Sequence, residues 1–77
     1  MTAPALDARA DPLLLSELAH GPQTARDLER ALFVGLDWVT VGDVEAWCRD
    51  AARRGLVEEL VDGQWSITPE GAARLAP

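Results

Sequence analysis

Residues 55–70 read Gly55-Leu56-Val57-Glu58-Glu59-Leu60-Val61-Asp62-Gly63-Gln64-Trp65-Ser66-Ile67-Thr68-Pro69-Glu70, and the fold turns on how this stretch divides. Its period is alternating rather than helical, and Asp62-Gly63 stands between two β-rich runs as a two-residue hairpin signal, because glycine takes a positive φ without strain. A two-residue loop pairs Val61 with Gln64, Leu60 with Trp65 and Glu58 with Ile67, which places Leu56, Leu60, Trp65 and Ile67 on one face. That face is expected to close a core. Upstream, Gly55 stands where a helix ends in a left-handed cap. Downstream, Thr68-Pro69-Glu70 supplies an N-cap, a proline at the first helical position and an acid near the helix start, opening a short helix through Leu75.

Working back from the hairpin, Thr40-Val41-Gly42-Asp43 is a capping box for a helix whose apolar face is Val44, Trp47, Cys48 and Ala51, spaced i, i+3, i+4, i+7. A second box, Thr24-Ala25-Arg26-Asp27, opens a helix to about Leu32 with Leu28, Ala31 and Leu32 as its apolar stripe. The first helix starts at Asp11-Pro12, with Asp11 as N-cap, carries Leu14, Leu15 and Leu18 inward, and stops at Gly21-Pro22. Residues 1–10 lack periodicity and read as a frayed arm. The expectation is one domain over residues 11–77, mainly α with a small β-hairpin: three helices, a two-stranded wing and a short closing helix. Ala51, Val44, Leu28, Leu18, Leu60 and Ile67 should share its core.

Seventy-seven residues make one domain. A single cysteine, Cys48, allows no internal disulfide, and with no signal peptide recognisable the expected location is cytoplasmic. No apolar run is long enough to span a membrane, so a membrane partner is not expected. Seven arginines, no lysine and thirteen acids give a net charge of −6, a balance that repels phosphate backbones.

The phrases Ala51-Ala52-Arg53-Arg54-Gly55-Leu56-Val57-Glu58 and Asp62-Gly63-Gln64-Trp65-Ser66-Ile67-Thr68-Pro69-Glu70-Gly71 carry a resemblance to winged-helix transcription regulators. Among these it resembles notably the multiple-antibiotic-resistance and phenolic-acid regulator groups, over roughly residues 11–75. It implies a winged helix-turn-helix that binds DNA, with the third helix in the major groove and the wing on the adjacent backbone. Carried onto this chain, the nucleic-acid-binding positions are Thr40, Gly42, Asp43, Glu45, Ala46, Arg49, Arg53, Gly63 and Gln64.

The local chemistry points elsewhere. Where relatives usually carry Ser, Thr, Arg or Lys, the third helix opens with Gly42, Asp43, Glu45 and Ala46; carboxylates offer guanine nothing and are repelled by phosphates. Arg49, Arg53 and Arg54 lie late in the helix, which suits its macrodipole as well as a phosphate contact. The connection from Phe33 to Val39 is longer than the usual turn and unusually apolar: Phe33, Val34, Leu36, Trp38 and Val39 are five large apolar residues in seven. Either the segment folds back to enlarge a small core, or it forms a protein-interaction surface for a partner or a homodimer. Trp38, off any periodic stripe, is the expected exposed anchor. Two functions therefore stand side by side, a DNA-binding transcription regulator and a winged helix used for protein–protein interaction. An enzyme is not expected: Cys48 lies on a buried stripe, Ser16 and His20 lack an acid to complete a nucleophile–base pair, and metal-ligand spacing is missing, so neither catalytic residues, cofactor nor small-molecule substrate is indicated.

Overall fold

The computed structural model describes residues 4–76. After a 3-10 helix at Ala8–Ala10 come α1 (Asp11–Leu18), β1 (Gln23–Thr24), α2 (Ala25–Leu32), α3 (Val41–Arg53), β2 (Val57–Glu59), β3 (Gln64–Ile67) and α4 (Pro69–Ala73). The three strands form one antiparallel sheet in the order β1-β3-β2. The fold is mainly helical with a small sheet, an arrangement compatible with a winged-helix-like fold.

The starts of α2, α3 and α4 follow the capping chemistry. Thr24 and Thr40 each accept from the backbone N–H of the aspartate three residues on, and Asp27 and Asp43 each accept from the threonine's own N–H. At the far end of α3 the N–H of Leu56 reaches the carbonyl of Ala51, that of Gly55 reaches Ala52, and Gly55 takes φ +81°. This is the two-bond closure that satisfies the last carbonyls and turns the chain out of the helix. Thr68 caps α4 by accepting from Gly71, and donates its hydroxyl to the carbonyl of Gly55 at 2.6 Å. One side chain thus ties the end of α3 to the end of the hairpin. The helix that follows is shorter than its pattern suggests, ending at Ala73 instead of Leu75.

The core joins Leu14, Leu15 and Leu18 of α1 to Leu28 of α2, to Val44, Trp47, Cys48 and Ala51 of α3, and to Leu56, Val57 and Trp65 of the hairpin region. Ile67 packs against it half-buried, whereas Leu60 is half-buried without joining it and Ala31 is exposed. The inner face of α2 is instead Ala25 and Leu28, with Leu32 at its margin.

The expected register is off by one. Glu59, not Leu60, stands opposite Trp65, and Val57, not Glu58, stands opposite Ile67. The loop has three residues rather than two: Gly63 donates to the carbonyl of Leu60, Leu60 donates to that of Gln64 at 2.7 Å, and Gly63 sits at φ +76°. A turn followed by a left-handed glycine inserts one extra residue and moves Val61 from the ladder to the tip.

Three further departures come from contacts distant in sequence. The sheet has a third strand, β1, whose Gln23 and Thr24 pair with Trp65 and Gln64 of β3; the hairpin expected as a two-stranded wing is therefore part of a three-stranded sheet. The cap of α1 is Ala10, which makes no side-chain bond, while Asp11 turns inward. Finally, the segment read as a frayed arm carries Leu6 into the core, and Asp7 caps the 3-10 helix that follows; residues 1–3 of that arm lie outside the described residues.

Candidate functional site

The DNA-facing positions implied by resemblance lie on α3 and the hairpin. Gly42, Ala46, Arg49 and Arg53 are exposed and fall on one stripe of α3, opposite the buried Val44, Trp47, Cys48 and Ala51. The helix therefore presents a free outer face. Its charges, however, are spent within the chain. Asp43 holds the N-cap of α3 together with Thr40, Glu45 accepts from Arg49 at 3.4 Å, and Asp50 accepts from Arg53 at 2.9 Å. The Arg53 guanidinium, first among its neighbours, holds the Asp50 carboxyl below the usual carboxylate range. Gly63 and Gln64 shape the hairpin tip, which carries Asp62 and no cation.

Between the outer face of α3, the start of α2 and the hairpin runs an open cleft of about 480 Å³. Arg26, Arg49, Glu45 and Glu59 line it, with Val41 and Trp65 at its floor. Two carboxylates alternate with two guanidinium groups, one of which is already bound to Glu45. An anionic backbone entering this cleft meets repulsion and attraction in comparable amounts.

The second candidate surface is the connection from α2 to α3. Its two ends are anchored: Phe33 and Val39 are buried core residues and not part of the expected contact surface. Between them the chain makes two successive tight turns, Leu36 donating to Phe33 and Val39 to Leu36, with Gly35 at φ +83° in the first. With both ends anchored by buried apolar side chains, the two turns carry the middle outward. Val34 is 77% exposed, Leu36 40% and Trp38 64%. The alternatives left open by the sequence are thus divided by position: the ends enlarge the core, and the centre is exposed.

Comparison with known proteins adds no relative. No family model matches the chain, and neither a curated protein nor a solved structure matches it. The surfaces must be read from their own chemistry.

One polar cluster was invisible to sequence reasoning. Asp11, 6% exposed, accepts from the indole Nε1 of Trp47 at 2.9 Å and receives both terminal nitrogens of Arg54, at 2.6 and 3.0 Å. Arg54 also donates Nε to Asp50 at 2.9 Å. The Arg54 guanidinium, aided by the indole, keeps the Asp11 carboxyl below the ordinary range, and Asp11 in turn raises Arg54. Every polar atom of this cluster is paired, so it locks the start of α1 to the end of α3 and leaves nothing free for chemistry. Cys48 is equally inert, since burial pushes its thiol up to about 12. His20 and Ser16 are both exposed. Among the described residues there is no group of three or more metal-ligating side chains, and no helix is long and apolar enough to cross a membrane.

Proposed function

We propose that the chain is a winged-helix domain that binds protein through residues 34–38, and that it has given up reading duplex DNA. The observation that carries the reading is the exposure of Trp38, with Val34 and Leu36 beside it, on a segment whose two ends are fixed in the core. Single exposed apolar residues are ordinary, but three large ones within five consecutive positions, including a tryptophan, are a local concentration of the kind that marks an interaction site. Tryptophan is the residue most enriched at interface centres, because one rigid side chain removes much area from water.

The second reading, a DNA-binding regulator, draws support from the free outer stripe of α3 and from Arg26 and Arg49 in the cleft beside the hairpin. Against it stand Glu45 and Glu59 in the same cleft and the acid at the hairpin tip. Affinity for duplex comes mostly from phosphate neutralisation, and this face offers little net positive charge.

The test is to place a photo-reactive phenylalanine analogue at position 38 and, as a control, at Arg74, and to irradiate living cells that contain the full chain. A discrete protein adduct from position 38 and none from position 74 supports protein binding. An adduct to nucleic acid, or none at all, overturns it.

A further inference from the structure

Resting on the protein-binding reading above, we infer that the occupant of the 34–38 surface is a basic, apolar-anchored segment of a different protein, not a second copy of this chain.

Area is the first argument. Val34, Leu36 and Trp38 together expose on the order of 350 Å² of side chain. A stable dimer needs about 800 Å² from each partner. A short segment seated on a tryptophan anchor is a better match to exposed apolar area of this size than a globular copy, which would need more than twice as much surface.

Charge is the second argument. Four of the seven arginines, Arg9, Arg49, Arg53 and Arg54, are held in ion pairs with Asp7, Glu45, Asp50 and Asp11. The net charge of −6 is therefore the balance of nine carboxylates and three arginines, Arg26, Arg30 and Arg74, without an ion-pair partner among the described residues. The surplus extends to the patch. Asp37 lies inside the exposed segment next to Trp38, and on the flanking helices Asp27, Glu29 and Asp43 likewise have no ion-pair partner among the described residues, against Arg26 and Arg30 in the same stretch of chain. A second copy would bring the same negative field against this one, whereas a basic partner is drawn in and its approach is accelerated.

Chemistry at the anchor agrees. The face of an exposed indole attracts a guanidinium or ammonium group while its edge and the neighbouring Val34 and Leu36 take up apolar side chains. A segment alternating leucine-like and lysine- or arginine-like residues meets both demands.

The test uses the full chain and two fluorescently labelled amphipathic helical peptides of identical apolar pattern, one with lysine and one with glutamate on the polar face. Anisotropy titration should show the Leu/Lys peptide binding, with affinity falling as salt rises, and the Leu/Glu peptide failing to bind. Trp38→Ala, and separately Val34→Ser with Leu36→Ser, should weaken the Leu/Lys complex by at least about tenfold, while the free chain stays monomeric through a sedimentation concentration series. Equal binding of the two peptides, no binding of either, or indifference to Trp38→Ala overturns the inference. A dimer abolished by Trp38→Ala overturns it too, yet leaves protein binding at this surface standing.

Discussion

Asp11→Asn isolates the charge in the buried cluster while keeping its shape. The amide oxygen can still accept from Trp47 Nε1, but the two-pronged ion pair with Arg54 is lost. Removing one partner of a buried pair costs about 3–5 kcal/mol when the other charge is stranded. Here the Arg54 side chain is 28% exposed and retains Asp50, so the expected cost is nearer about 2 kcal/mol. For a domain of this size that lowers Tm by roughly 8–16 °C. The pH dependence has a definite sign. Because the folded Asp11 carboxyl lies below its unfolded value of about 3.9, its contribution is complete above that value and disappears as pH falls through the folded pKa. Thermal melts of the wild type and Asp11→Asn should therefore differ at pH 7 and converge below about pH 3.9. Equal Tm at pH 7, or a gap constant down to pH 2, would refute the assignment of this pair as a buried, stabilising link between α1 and α3.

Gly63→Val should destabilise the hairpin by about 1 kcal/mol or more in a urea melt, chiefly through the backbone, since the glycine holds φ +76° and a Cβ there meets no neighbour within 4 Å. An unchanged midpoint would contradict the left-handed turn. Cys48, with its thiol raised to about 12 and fully buried, should resist iodoacetamide at pH 8 in the folded chain and react at the ordinary thiol rate in denaturant; rapid native labelling would place it elsewhere. Trp38→Ala should move stability by no more than about 0.5 kcal/mol, as an ordinary surface change does. Phe33→Ala, five residues earlier on the same connection but buried, should cost about 3 kcal/mol or more. A reversal of that order would exchange the anchored and exposed positions.

What the sequence disclosed was local chemistry. Thr24, Thr40 and Thr68 each lie within three residues of the groups they cap, and Gly55 and Gly63 are required by the φ of their own turns. Such features are complete within a short window, and each stands in the structure. What escaped was decided across the chain. Asp11-Pro12 has the form of a helix start, yet Asp11 serves Trp47 and Arg54, which no local pattern connects to it. The register of the hairpin was missed by one for a different reason: the turn takes three residues, with Gly63 donating to Leu60 and Leu60 to Gln64, and the Asp62-Gly63 pair alone does not distinguish that loop from a two-residue one. Gln23 and Thr24 are too few to read as a strand and become one only because Trp65 and Gln64 offer an edge. Leu6 likewise had no periodic neighbours to mark it as core. At the candidate surface, composition revealed that the 33–39 connection was anomalous, and Trp38 fell outside any stripe. Which side chains turn inward was set by the two tight turns around Gly35, and only the fold assigned Phe33 and Val39 to the core.

The choice between protein binding and DNA reading rests most directly on a salt-series titration of the full chain against random-sequence duplex, read by anisotropy. Proteins that use phosphate contacts bind non-specific duplex with Kd of roughly 10⁻⁴–10⁻⁶ M at physiological salt, tightening steeply as salt is lowered. With a net charge of −6, Glu45 and Glu59 in the cleft and Asp62 at the hairpin tip, this chain should show no saturable binding at about 10 µM protein and no gain on going from about 150 to 50 mM salt. Saturable binding whose logarithm falls steeply with the logarithm of salt concentration would contradict the account and make the outer face of α3 the functional surface.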